Sequence, residues 1–219
     1  MRTTVVALIG SLIVAGAVVR AQEQAHANPA GKAARAKAGE AAAVQAKIRE
    51  ARSAAPRDIS GNATIMDWPD TPNGQMKQLR AGTNGWMCMP STGAGGGVGA
   101  DPMCLDKAFS AWAGAWMGKK DPPASSMGTA YMLRGDKGAS NTDPFATGQT
   151  PDNQWVTSGP HVMMIVPDLS QLDAFPTDPH NGGPWVMWKG TKYAHLMVPV
   201  AAMPKATTSA KRAPTTTKQ

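Results

Sequence analysis

Residues 160–168, PHVMMIVPD, and residues 184–200, PWVMWKGTKYAHLMVPV, decide the fold class of this chain. The first stretch is apolar on both faces, which is typical of a strand buried in the middle of a sheet. The second stretch predicts a hairpin that turns near Gly190. A further strand is predicted within residues 128–135, GTAYMLRG. Together these patterns predict a mostly antiparallel sheet.

The strongest helical signal covers residues 102–118. Asp101 is suited to cap the first turn, and Pro102 suits the first helical position. An apolar face then recurs at helical spacing, formed by Leu105, Phe109, Trp112 and Trp116. One prominent amphipathic helix beside several strands predicts an α+β domain.

The first residues predict export. Arg2 precedes an apolar run from Val5 to Val19, and small or apolar residues at Val19 and Ala21 suit cleavage by a signal peptidase. We therefore expect residues 1–21 to be a signal peptide, and the rest to be periplasmic or secreted with no transmembrane segment. An uncleaved anchor is the alternative.

Composition divides the remaining chain into three parts. Residues 22–57 predict a solvated, Ala-rich basic spacer with helical tendency, because its apolar stripe is almost confined to Val44 and Ile48. Residues 58–200 predict a single globular domain, and residues 201–219 a disordered basic tail.

The formal net charge of +7 belongs to the flanks, because residues 58–200 carry nine Lys and Arg against twelve Asp. This negative domain excludes a basic groove for nucleic acid. The basic flanks suit an acidic envelope component as a partner.

The only two cysteines, Cys88 and Cys104, lie in residues 85–112, GWMCMPSTGAGGGVGADPMCLDKAFSAW. In an exported chain this pair predicts a disulfide. The alternative is a Cu(I) site in which both thiolates join Met87, Met89 and Met103 as soft ligands. Residues 95–100, GGGVGA, resemble a dinucleotide fingerprint but lack a convincing strand before them, so we interpret them as a surface loop.

A second copper hypothesis comes from two His-x-Met patterns, His161 with Met163 and His195 with Met197. Residues at i and i+2 of a strand share a face, so two paired strands could present two imidazoles and two thioethers to one copper ion. A tryptophan could cover such a cation, the candidates being Trp155, Trp185 and Trp188. Ordinary core packing of Met and His is the alternative interpretation.

The loop at 134–154 supplies further candidates. Asp136, Ser140, Asn141 and Asp143, with Trp155 just beyond, are predicted to form a ligand-binding loop. The density of oxygen atoms resembles a weak Ca²⁺ loop, although ordinary turn chemistry explains the same residues.

A hydrolase is a further alternative for the same part of the chain. It would combine Ser140 and His161 with Asp143 or Asp168 as a catalytic set. Ser140 does not, however, lie in the Gly-x-Ser-x-Gly context of a nucleophile elbow.

Residues 131–148, 155–168 and 184–200 resemble a set of exported bacterial proteins to which no function has been assigned. The resemblance covers about residues 84–200 and implies an exported bacterial domain. It implies no activity, and no site residue is carried over from it. The sequence thus favours a non-enzymatic module that binds a small ligand or partner, with periplasmic copper binding and Asp/His hydrolysis as alternatives.

Overall fold

The computed structural model describes residues 29–71, 74–92, 101–123 and 126–201. The predicted signal peptide, the glycine run at 95–100 and the tail from residue 202 lie outside these ranges. Contacts divide the chain between Ala38 and Gly39, and the sheet and its cores belong to the part from Gly39 onward.

The described residues form three α-helices, ten strands and one short 3₁₀ helix. The helices are α1 Pro29–Arg52, α2 Arg57–Ser60 and α3 Lys107–Met117, and the 3₁₀ helix is Leu169–Leu172. The first five strands are β1 Thr64–Asp67, β2 Lys77–Arg80, β3 Met87–Met89, β4 Met103–Leu105 and β5 Gly128–Met132. The others are β6 Ala139–Ser140, β7 Trp155–Val156, β8 His161–Ile165, β9 Trp185–Met187 and β10 His195–Pro199.

Eight strands form one sheet in the order β2-β1-β3-β4-β5-β8-β10-β9, and β6 pairs with β7 in a small separate ribbon. All neighbouring pairs of the large sheet are antiparallel except β1 with β3. The mostly antiparallel sheet is therefore confirmed. The three strand regions expected from the sequence correspond to β5, β8 and the β9–β10 hairpin, where Gly190 adopts a φ of 83°.

The start of the predicted helix at 102–118 was wrong. Residues 103–105 form β4, which pairs with β3 on one side and with β5 on the other. The helix begins only at Lys107, because Asp106 and not Asp101 is its cap: the Asp106 carboxylate accepts from the backbone N–H of Phe109 at 2.8 Å. It also accepts from the N–H of Thr129 at 2.6 Å, which ties the helix start to β5.

One face of the sheet is covered by the C-terminal part of α1. Ile48 and Ala51 are buried in a cluster with Ile65 and with the two cysteines. The expectation of a solvated spacer was therefore wrong for this segment. Alanine lets a helix backbone approach the sheet closely, so Ala51 and Ile48 bury one side of a helix that lacks a broad apolar stripe.

The other face of the sheet carries the larger core and is covered in part by α3, whose Phe109 and Trp112 are buried. A third, smaller cluster lies at the β9 end, on the face that looks away from α3. There Leu172 of the 3₁₀ helix packs on Val186 and Leu196.

Candidate functional site

The sheet face that looks toward α3 is rich in methionine. Because alternate residues of a strand share a face and directly opposed residues point the same way, the strand register identifies this set. Six strands supply Met87, Met89, Met103, Met132, Met163, Met187 and Met197. A single face thus holds half of the 14 methionines in the chain.

Between this face, α3 and the loop that contains β6 lies a cavity of about 340 Å³. All seven sheet methionines line it, and Met76 and Met117 join them from outside the sheet. Five of the seven tryptophans also line it, namely Trp68, Trp112, Trp116, Trp155 and Trp188. The wall is therefore made mainly of thioethers and indole rings, which are apolar and polarizable.

Most of the residues singled out from the sequence meet at this cavity. Met163, His195 and Met197 line it, as do Asp136, Ser140, Asp143 and Trp155. The lining does not include His161 or Asn141. The His-x-Met strands and the 134–154 loop, which are separate patterns in the sequence, are thus brought to one place.

His195 is the imidazole of the cavity, and it is 2% exposed. Its Nδ1 lies 3.0 Å from the backbone oxygen of Tyr193. A carbonyl oxygen can only accept, so Nδ1 carries the proton and Nε2 keeps its lone pair. Burial lowers the pKa of His195 to about 4, and the ring is therefore neutral near pH 7.

Two indole rings enclose His195. The ring of Trp112 lies edge-on at 5.4 Å between centroids, and that of Trp188 lies edge-on at 4.9 Å. These two indoles are themselves stacked at 6.2 Å with an interplanar angle of 12°. The imidazole is therefore held in one orientation by aromatic contacts and by its bond to Tyr193.

Methionines are the sheet neighbours of His195. Met187 of β9 is its direct partner across the strand pair, and Met197 follows two residues later on the same face. Met163 of β8 is directly opposite Met197. Directly opposed residues have Cβ atoms about 5 Å apart, so one imidazole and three thioethers share a small area of the face.

His161 does not join this group. It is opposite Met132 on one side and Pro199 on the other, four residues along the strands from the level of His195. At about 3.3 Å per residue the two histidine positions are roughly 13 Å apart along the strands, too far for both rings to bind one ion. The expected convergence of His161 with His195 was therefore wrong, because the antiparallel register places them at opposite ends of the pair.

The surroundings of His161 are those of a core residue. It is fully buried, its Nδ1 lies 2.7 Å from the oxygen of Gly159, and its Nε2 has no hydrogen-bond partner. Burial lowers the pKa of His161, although the nearby Asp136 opposes that shift. Burial likewise raises the pKa of Asp136. A ring so enclosed has no access to a substrate.

The polar side chains of the 134–154 loop are engaged in turns. The Ser140 hydroxyl donates to the oxygen of Asn153 at 2.7 Å and accepts from the N–H of Asp143 at 2.8 Å. Asp136 accepts from the N–H groups of Gly138 and Ser158. Ser140 therefore lacks the bond to a histidine that a nucleophile requires, and its oxygen serves the loop itself.

Oxygen atoms of this loop also accept hydrogen bonds from two tryptophans outside it, Trp185 and Trp188. The oxygen of Ser140 accepts from Nε1 of Trp188 at 2.7 Å, and the oxygen of Asn141 accepts from the N–H of Trp188 at 2.8 Å. The side-chain oxygen of Asn141 accepts from Nε1 of Trp185 at 3.2 Å. Trp188 has a φ of 57°, which is a costly conformation for a bulky residue. Its two bonds to the loop help to keep it there, against the cavity.

The cysteines belong to the opposite face. Cys88 and Cys104 are directly opposed on β3 and β4, with Cα atoms 4.0 Å apart, and they form a disulfide. Met87 and Met89 flank Cys88 in sequence and therefore point to the cavity side. The alternative site that combined both thiolates with these methionines was wrong, because the bond consumes the thiolates and the pleat separates the two groups.

The dinucleotide interpretation is also excluded by the elements on either side of the glycine run. The chain before it forms β3, and the chain after it forms β4, which pairs with β3 antiparallel. A dinucleotide fingerprint requires a helix directly after the glycines and a parallel crossover. The strand over residues 87–89, which the sequence had not indicated, thus leads into a β-hairpin.

Sequence reasoning missed Met187 and Trp112 as members of the site, whereas Trp188 was among the tryptophans expected to cover a cation there. Met187 could have been found, because residues 187 and 195 flank the predicted hairpin turn at similar distances from Gly190. Nothing in the local sequence places Trp112 against a strand 80 residues away. Only the packing of α3 on the sheet shows that contact.

Within the described ranges, no three side chains of His, Cys, Asp and Glu group together as a metal site. None of the helices in the part of the chain that the structure describes is both long enough and apolar enough to cross a membrane. No family model matches the chain, and neither a curated protein nor a solved structure matches it.

Proposed function

We propose that this chain is an exported, non-enzymatic binding protein whose small apolar or polarizable ligand occupies the methionine-lined cavity. The observation that carries the proposal is the cavity itself: about 340 Å³ of space enclosed by nine methionines and five tryptophans. Well-packed cores contain few voids larger than a water molecule, so a space of this size is typical of a ligand site. It lies beside Trp188, whose left-handed backbone is kept in place by two hydrogen bonds.

The chemistry of the lining supports binding rather than catalysis. Ser140 is engaged in its own turn, His161 is fully buried, and His195 is surrounded by thioethers and indoles. The carboxylates that line the cavity are Asp101, Asp136 and Asp143. Of these, Asp101 pairs with Lys137 at 3.5 Å, and the other two accept backbone N–H bonds.

The experiment uses N-phenyl-1-naphthylamine, an uncharged aromatic probe whose emission increases in apolar surroundings. We expect saturable binding with quenching of tryptophan emission. Ala113 lines the cavity from α3, so Ala113→Phe should fill part of the space and weaken binding by at least tenfold. Ala111 is exposed on the same helix, and Ala111→Phe is the matched control that should leave binding unchanged. Unsaturable binding, or equal weakening by both substitutions, would refute the proposal.

A further inference from the structure

We infer that the ligand of this cavity is a soft monovalent metal ion, Cu(I), bound by the imidazole of His195 and the thioethers of Met163, Met187 and Met197. The inference rests on the proposed function, since it names the ligand class of the same site. It differs from the sequence-based copper hypothesis in its ligand set: Met187 replaces His161.

The donor atoms are of one chemical kind. Thioether sulfur and neutral imidazole nitrogen are soft or borderline ligands, which suit Cu(I) and offer little to Mg²⁺ or Ca²⁺. The two thiolates of the chain are consumed in the disulfide on the other face. A set of neutral ligands leaves the ion's charge uncompensated, which costs less for a monovalent ion than for a divalent ion.

His195 has the arrangement that is general for metal-binding histidines. Such rings donate one N–H to a backbone carbonyl or a carboxylate, which fixes the tautomer and directs the other nitrogen to the metal. Here Tyr193 supplies the carbonyl, at 3.0 Å from Nδ1. The ring is 2% exposed and lines the cavity, so Nε2 is the nitrogen left to bind a ligand there.

The methionines can reach a common point because they are neighbours in the sheet and flexible. Met187 is opposite His195, and Met163 is opposite Met197. Each methionine side chain has three rotatable bonds, so its sulfur can adapt to an ion without movement of the backbone. The open volume next to them gives the side chains room to do so.

Aromatic rings cover the same point. Trp112 and Trp188 flank His195, and Trp188 is held by two hydrogen bonds despite its left-handed backbone. An indole within about 6 Å of a cation stabilises it electrostatically and excludes water.

The experiment is an anaerobic Cu(I) titration of the full chain against a chromogenic Cu(I) chelator. We expect one ion per chain and no comparable uptake of Zn²⁺. The triple variant Met163→Leu/Met187→Leu/Met197→Leu conserves volume and should fold. Loss of a single outer-shell partner lowers metal affinity by roughly 10–100-fold. The affinity of the triple variant for Cu(I) should fall by at least that factor. Met164→Leu is the matched control, because Met164 lies on the opposite face of the same strand.

A second readout separates coordination from a merely structural effect. With diamagnetic Ag(I) as a substitute, the methyl resonances of Met163, Met187 and Met197 should shift while that of Met164 stays in place. Equal Cu(I) affinity of wild type and triple variant would overturn the assigned ligands. Absence of Cu(I) binding together with saturable, Ala113→Phe-sensitive binding of the naphthylamine would overturn the metal inference and leave the binding function standing. Failure of both probes would overturn both.

Discussion

Acidification should destabilise this protein through His195. The imidazole has a pKa of about 4 in the folded chain, where burial disfavours the charged form, and an ordinary value of 6.5 when unfolded. Between pH 6.5 and pH 4 the unfolded state therefore binds a proton that the folded state does not bind. The contribution of this group to the free energy of unfolding is complete above pH 6.5 and is lost as the pH falls toward 4.

The magnitude follows from about 1.4 kcal/mol per pH unit of pKa difference. The complete loss amounts to about 3 kcal/mol, of which about 2 kcal/mol has gone by pH 5. His161 acts in the same direction, since its pKa is also lowered, whereas the raised pKa of Asp136 acts in the opposite direction. A comparison of variants is therefore needed to isolate His195.

The assay is urea unfolding followed by tryptophan emission at several pH values from 8 to 4.5. His195→Asn keeps a side-chain donor near the Tyr193 oxygen but does not titrate. Between pH 8 and pH 5, the free energy of unfolding of this variant should fall by about 2 kcal/mol less than that of wild type. His180→Asn, which removes an exposed imidazole, should retain the wild-type profile. If wild type and His195→Asn run parallel over the whole range, the burial argument is refuted.

Two further predictions concern the sheet and α3. The disulfide links residues that are 16 positions apart. Cys88→Ala/Cys104→Ala should therefore lower the free energy of unfolding, measured by urea titration, by about 3 kcal/mol. Two free thiols in non-reduced wild type would contradict this prediction. A Cβ at Gly82 would lie 2.1 Å from the backbone nitrogen of Thr64, so Gly82→Ala should cost about 1–3 kcal/mol. Gly114→Ala, with open space on α3, should instead stabilise by about 0.5–1 kcal/mol, and equal midpoints for the two variants would count against the packing described.

The central strand β8 and the β9–β10 hairpin could be predicted because their signals are local. Apolar residues run from Val162 to Val166, and Gly190 separates two apolar runs. The start of α3 could not be predicted in this way, because Asp101 and Asp106 are both chemically competent caps. Pairing of Met103–Leu105 with strands on both sides decides between them, and that pairing involves residues distant in sequence.

The candidate site was predictable in its parts. The alternation of strand residues indicated that Met163 shares a face with His161, and Met197 with His195. The register between the strands cannot be predicted from this alternation. In the observed register His161 lies four residues along the strands from His195, whereas Met187 is directly opposite His195. The role of Ser140 and Asn141 as supports for Trp188 also depends on a contact over more than 45 residues.

The sequence by itself determined the mostly antiparallel α+β character and the disulfide, because these follow from periodicity and from the pairing of the only two cysteines. It also determined which residues are soft donors. Only the tertiary structure decided that seven methionines from six strands share one face and line one cavity with the imidazole of His195. The physical reason is that side-chain direction within a strand is a local property, whereas the register between strands is set by the packing of the whole sheet against α1 and α3.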